Sequence, residues 1–194
     1  MYKLITVKDT VRVPPENFGM PKKDSILKAL REKYENRIDS DVGVTLTVSK
    51  VNDISNGKII PGDGASYHEV SFEALTFKPE LYEVVTGKVS EIAQFGAFVR
   101  IGPIDGLVHV SQITDDFISY NEKTGTLVGK ESGKILKEGD EVRARIVTLS
   151  IKNVTTDSKI GLTMRQPALG KMDWIEKEKN KQPKSKGGKK DGNK

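Results

Sequence analysis

The sequence predicts an α+β protein, a mixed N-terminal part followed by a small five-stranded β-barrel. Three observations carry this. From Val84 onward, VVTGKVSEI, GAFVRI, GLVHV, EVRARIVTLSI and KIGLTM are short β-rich runs separated by glycine turns, with no convincing helix among them. Before them, PKKDSILKALREKYENR holds one amphipathic helix of about three turns. Long runs rich in β-branched and aromatic residues flank that helix on both sides.

Each element has its own signal. Residues 1–15 alternate loosely (Tyr2, Leu4, Ile5, Val7, Val11, Val13) and reach Pro14-Pro15, so the spacing predicts a strand stopped by proline. In the helix, Ile26, Leu27, Leu30 and Tyr34 recur at helical spacing, and Asp24 is the expected N-cap. Val44, Leu46 and Val48 alternate in GVTLTVSKV, a strand. Asn56-Gly57 signals a hairpin turn into a return strand at KIIP, and Pro61-Gly62-Asp63-Gly64 is a second break. YHEVSFEALTF is a long β-rich run ended by Pro79. The composition boundary falls near 79–84, with the two parts sharing an elongated sheet region. Between the third and fourth barrel strands lies a long insert, expected to hold a hairpin at Lys123–Gly125. Past Pro167, KMDWIEKEK reads as a short docking segment or helix, and no internal repeat occurs.

Charge needs partitioning before it is used. The net charge is +5, but residues 179–194 alone carry seven lysines and one aspartate, so the first 178 residues sum to −1. The basic balance belongs to a Gly-rich tail expected to be disordered, and it does not by itself argue that the folded body binds nucleic acid. The absence of cysteine excludes disulfides and cysteine-ligated metals. The first residues lack the apolar run of a signal peptide, and no stretch approaches the ~20 apolar residues that span a bilayer, so the reading is soluble and cytoplasmic.

Catalytic signals are weak. His68 and Glu69 are adjacent on a strand and point to opposite faces, so they form no acid–base dyad. Asp115-Asp116 reads as solvated surface. No P-loop and no HExxH pattern occurs, and Asn153-Val154-Thr155 matches a glycosylation sequon without a secretion signal. No cofactor or metal is expected.

The stretch FGAFVRIGPIDGLVHVS, residues 95–111, is more informative. By strand parity Ala97, Val99 and Ile101 share one aliphatic face, while Phe98 and Arg100 share the other. After the turn, Leu107, His109 and Ser111 are expected to oppose Gly106, Val108 and Val110. In EVRARIV, Arg143 and Arg145 point outward. If the second, third and fourth strands adjoin, these residues converge on one face of aromatics, for stacking unstacked bases, and guanidinium groups, for phosphates. Phe95 would join that face if the backbone bends at Gly96.

Gly87–Val89, Phe95–Phe98, Gly106–Ser111 and Gly139–Val142 stand where the S1 RNA-binding domain has its Gly-x-Val, Phe-Gly-Ala-Phe, Gly-Leu-Val-His-x-Ser and Gly-Asp-x-Val elements. Residues 84–165 resemble that family. The resemblance implies an RNA face of Phe95, Phe98 and His109, with Lys159 as a basic counterpart. The family's aspartate falls near Ser150. The sections MYKLITVKDTVRVPPENFG and GKIIPGDGASYHEVSFEALTFKPELYEVVTGKV, the insert DDFISYNEKTGTLVGKESGK and the terminal LTMRQPALGKMDWIEKEK resemble the archaeal RNA polymerase stalk subunits called E-prime, counterparts of the seventh subunit of RNA polymerase II.

This second resemblance implies a truncated RNP-like tip domain (1–82) that docks on the polymerase core, and an S1-type OB barrel (83–170) with insert 114–139. A docking segment (171–178) and the tail (179–194) follow. It implies a non-catalytic role beside three partners: the F subunit, with which E-prime proteins form the stalk heterodimer, the large core subunits, and single-stranded nascent RNA. Pro14, Pro15, Phe18, Gly62, Asp63 and Gly64 are the candidate core contacts. Two other classes compete. A translation factor of the initiation-factor alpha type carries its S1 domain first, whereas here it comes second. An exoribonuclease would need a carboxylate cluster or further RNA-binding modules.

Overall fold

The computed structural model describes residues 1–151 and 159–181. Its first half runs β1 (Tyr2–Val13), a 3-10 turn η1 (Pro15–Asn17), α1 (Lys22–Tyr34), β2 (Ile38–Asp39), β3 (Gly43–Ile54), β4 (Lys58–Ile59) and β5 (Ser66–Phe77). These strands form an antiparallel sheet in the order β1-β5-β3-β2, with β4 also paired to β5. β1 and β5 pair along their whole length, from Tyr2 opposite Phe77 to Val13 opposite Ser66. α1 packs on one face, burying Ile26, Ala29 and Leu30 against Val11, Val48, Val70 and Phe72.

Two local expectations change. The helix is capped by Pro21, not Asp24: Asp24 lies in the first turn and makes no capping bond. Its charge there still suits the positive end of the helix dipole. The Ser25 hydroxyl instead donates to the Asn17 carbonyl at 2.7 Å, tying helix to preceding turn. Asn56-Gly57 is not a β3–β4 hairpin. β4 pairs with β5, in the lane that β3 has just left. The cause is three bulges in β3, which make the eleven residues Val44–Ile54 oppose only the eight residues Val70–Phe77. β3 therefore stops short of the end of β5, and β4 fills the gap. Gly57 allows the kink, because a Cβ there would sit 2.7 Å from His68 Cε1. The true reversal is Pro61–Gly64, where the Asp63 N–H donates to Ile60 at 3.0 Å and Gly62 has φ +91°.

The second half holds β6 (Val84–Ala93), β7 (Gly96–Arg100), β8 (Asp105–His109), η2 (Val110–Gln112), β9 (Ile118–Asn121), β10 (Thr126–Gly129), β11 (Ile135–Leu136), β12 (Glu141–Ser150), β13 (Lys159–Thr163), β14 (Gly170–Lys171) and α2 (Met172–Lys181). β13-β8-β7-β6-β12 follow one another, and a β12–β13 pairing closes the ring into the five-stranded barrel. Val85, Val89, Ala97, Val99, Val108, Val142, Ala144, Ile146 and Leu162 fill it. The same core takes in Ile38, Val44 and Phe77 from the first half.

The insert is a three-stranded sheet, β11-β10-β9, whose β9–β10 turn contains the expected hairpin. Its Leu127 and Leu136 are buried in the barrel core. α2 buries Ile175 and continues to Lys181, so residues 179–181 of the expected disordered tail are helical. Glu and Lys are good helix formers, which lets the helix run on. The rest of that tail, 182–194, and the sequon at Asn153 lie outside the described residues. No described helix is long and apolar enough to cross a membrane.

Candidate nucleic-acid interface

The outer face of β7, β8 and β13 is built by register. Phe98 lies opposite Leu107, which lies beside Gly161; Arg100 lies opposite Asp105; Gly96 lies opposite His109. The intervening residues Ala97, Val99, Gly106 and Val108 are buried, so parity places Phe98, Arg100, Leu107 and His109 outside.

Phe95 reaches this face through the turn. Gln94 and Phe95 alone connect Ala93 to its partner Gly96, a two-residue hairpin loop. The Phe95 carbonyl accepts the Val110 N–H at 2.9 Å. Its ring meets that of Phe98 edge to face, with centroids 6.0 Å apart, and remains 50% exposed. Gly96 is required by proximity, since a Cβ would lie 2.3 Å from the Val108 carbonyl oxygen.

His109 is held in one tautomer. The Ser111 N–H donates to its Nδ1 at 3.3 Å, so Nδ1 is an acceptor and Nε2 carries the proton. The Ser111 hydroxyl lies 2.8 Å from the same nitrogen. The exposed Nε2–H is therefore oriented as a donor toward whatever lies on the face. Arg100 is ion-paired with Asp105 at 3.1 Å, which offsets its charge. Lys159 is exposed in the next lane and lies opposite Ser150.

Arg143 and Arg145 do not join this face. The expectation needed the fourth barrel strand beside the second and third, but β12 lies between β6 and β13. In a closed ring of five, it stands two lanes from both β7 and β8, and its outward side chains point away from theirs. Both arginines are half-buried, and Arg145 Nε has no hydrogen-bond partner among the described residues. Parity places Leu107 on this face, although it stands outside the expected site residues; the same alternation fails at Val110 and Ser111, which lie in η2 where the strand has ended. Sequence reasoning missed Glu91, exposed and opposite Phe98 on β6.

At the far end of the molecule, the β1–β5 register brings Pro14 and Pro15 beside the 62–64 loop. A Cβ on Gly64 would lie 3.6 Å from Pro15 Cγ. Asp63 is engaged internally. Arg12 donates to it from Nε at 2.9 Å and Nη2 at 2.8 Å, and the Tyr67 hydroxyl donates at 2.6 Å. These bonds, Arg12 first, hold the Asp63 carboxyl well below the usual carboxylate range. Gly62 is exposed, and so is Phe18. Met20, Ile59 and Ile60 are exposed apolar neighbours that sequence reasoning did not single out. The unalternating Ile-Ile before Pro61 was the available signal.

Asp115 pairs with Arg165, and Asp116 accepts bonds from the backbone of Glu131 and Ser132, so neither is a free ligand. No group of three or more His, Cys, Asp or Glu able to hold a metal occurs among the described residues.

Comparison with known proteins adds two family matches. Residues 8–64 match the "SHS2 domain found in N terminus of Rpb7p/Rpc25p/MJ0397", and residues 78–153 match the "S1 RNA binding domain". The DNA-directed RNA polymerase subunit Rpo7 of Saccharolobus shibatae is 44% identical over 175 residues, covering 90% of this chain and 97% of its own. Subunit Rpo7 of Sulfolobus acidocaldarius is 43% identical over 178 residues, covering 92% and 97%. Subunit RPC8 of Saccharomyces cerevisiae RNA polymerase III is 37% identical over 101 residues, covering 52% and 48%.

Proposed function

Since the chain belongs to the Rpo7 family of DNA-directed RNA polymerase subunits, we propose that it serves as the stalk component that guides nascent transcript. It acts without a catalytic site of its own, in the cytoplasm, paired with the F subunit in a stalk heterodimer. The end carrying Pro14, Pro15, Phe18 and Gly62–Gly64 docks on the large core subunits, and the barrel receives single-stranded RNA.

The observation that carries the RNA reading is the Phe95–Phe98 pair beside the Nε2–H of His109 on one exposed sheet face. Two rings on a rigid hairpin offer π surfaces to any base, and stacking contributes about 1–3 kcal/mol per base. Charge contributes less: Arg100 is already paired, Glu91 is adjacent, and Lys159 stands in the adjoining lane. Binding is therefore weakly selective among bases, with a shallow dependence on salt.

The test is Phe98→Ala with His109→Ala in the assembled polymerase, read by crosslinking to nascent RNA. Crosslinking should fall about tenfold with the barrel still folded. Unchanged crosslinking would sink the assignment of this face. Arg143→Ala with Arg145→Ala, two lanes away, should leave crosslinking unchanged.

A further inference from the structure

The insert presents an aromatic ring that its own packing does not use. Phe117 is 67% exposed, more than any other phenylalanine of the chain. Strand parity puts it outside. Tyr120 lies opposite Leu127, and Ile118 opposite Gly129, with Leu127 buried in the barrel core. Phe117, Ser119, Val128 and Lys130 therefore share the outer side of the insert. The Lys130 N–H donates to the Phe117 carbonyl at 2.9 Å, which extends the ladder one step past β9. Lys130 Nζ stands 4.4 Å from the ring centroid. Asp116 accepts the N–H groups of Glu131 and Ser132, so the ring sits on a braced lip.

This lip is joined to the face of Phe95, Phe98 and His109. Ser111, whose N–H holds His109, accepts at its carbonyl from Arg165 Nη1 at 3.4 Å. Arg165 Nε donates to Asp115 at 2.6 Å, and Phe117 follows two residues later. The chain from Ser111 to Phe117 spans about 21 Å at most. An OB-type barrel engages about 4–16 nucleotides, a longer strand than three side chains occupy. The S1 match, residues 78–153, takes in the insert together with that face.

We propose that Phe117 and Lys130 form a second landing for the same single strand of RNA, with a base stacked on the open side of the ring and the exposed ammonium set against the adjoining phosphate. This rests on the RNA reading given under the proposed function. The surroundings favour a nucleotide over a protein chain. Ser119, half-buried Val128, Lys130 and Glu131 are the neighbours of the ring, and exposed Ile135 lies two lanes away on β11, so no broad apolar patch surrounds it. A lone ring backed by a lysine suits a planar base and its phosphate. Asp115 is paired with Arg165 and Asp116 is bonded to backbone, which leaves Glu131 as the carboxylate that opposes a phosphate. Stacking therefore carries the contact more than charge does.

The experiment measures binding of short (about 5) and long (about 15 nucleotides) oligouridylates, by fluorescence anisotropy, to the full chain in its stalk heterodimer. Phe117→Ala removes an exposed ring, so its melting temperature should stay that of the wild type. It should weaken the long probe about fivefold to tenfold and leave the short one unchanged. Phe117→Tyr keeps the ring and should bind as the wild type does. Phe98→Ala should weaken both probes. Normal binding of the long probe by Phe117→Ala, while Phe98→Ala loses it, overturns the second landing and leaves the first face standing. Unchanged binding of both probes by both alanine variants overturns the two together. Equal weakening of both probes by Phe117→Ala overturns the separation into two landings. A Phe117→Ala chain that binds both probes normally but assembles poorly with its partner overturns RNA as the occupant.

Discussion

Asp63 shows how one side chain settles what a loop can do. By composition, Pro-Gly-Asp-Gly is a turn. The structure adds that its carboxylate is held by Arg12 and Tyr67, so the loop is fastened to β1 and β5 and shows its glycines outward. The bonds lower the Asp63 pKa in the folded state relative to the unfolded chain. Their stabilisation is thus fully present above the ordinary aspartate range and is lost as pH falls below about 4. Thermal melts from pH 7 down to pH 2 should show Asp63→Asn less stable than the wild type at neutral pH, with the two converging in acid. Equal melting temperatures at neutral pH would remove the anchoring role. Arg12 is far from Asp63 in sequence, and no local pattern announces the pair. Phe98, Arg100, Leu107 and His109 are different: strand parity alone puts them on one face. Phe95 needed the turn length as well, and Arg143 and Arg145 needed the strand order, which parity does not contain.

At the scale of elements, what could be read was the existence of strands, and what could not was their partners. All five barrel strands and α1 are visible as runs and periodicities. The β3–β4 lane was not, because it follows from three bulges that no residue type marks. The insert shows the same limit. Its hairpin was visible at Lys123–Gly125, but its attachment was not. Leu127 and Leu136 make that attachment by joining the barrel core, while Asp116 ties the start of the insert to its later turn, accepting from the Ser132 N–H at 2.9 Å, the Ser132 hydroxyl at 2.8 Å and the Glu131 N–H at 3.1 Å. Lys130 sits 4.4 Å from the ring centroid of exposed Phe117, on the same lip. Asp116→Ala should therefore speed amide exchange across residues 117–134 while the amides of β6, β7 and β12 keep their protection. Uniform loss of protection through the barrel would mean that the insert is not a separate cooperative element.

For the whole molecule, the question is whether the two halves act as one body. Phe77 is the last residue of β5, yet it is fully buried in the core that fills the barrel. Tyr2 meets it edge to face at 5.1 Å. From the barrel side, the loop at Gly102 comes so close that a Cβ there would lie 2.9 Å from the Phe77 ring. The exposed Lys3–Glu80 pair adds little beside this packing, and the N-terminus pairs with half-buried Glu83 at the same junction. The proposed function, with docking at one end and transcript at the other, would call for a stiff joint, and the Phe77 side chain carries the end of the first sheet into the barrel core. Phe77→Ala should cost about 3–5 kcal/mol. It should also change the form of unfolding, because the loss falls on the coupling and not only on either half. Calorimetry of the wild type should give one transition with equal calorimetric and van't Hoff enthalpies. The variant should give two, the sheet of β1, β3 and β5 melting before the barrel, whose ring closure and own aliphatic core remain intact. A single, merely lowered transition would show that coupling survives without the Phe77 ring.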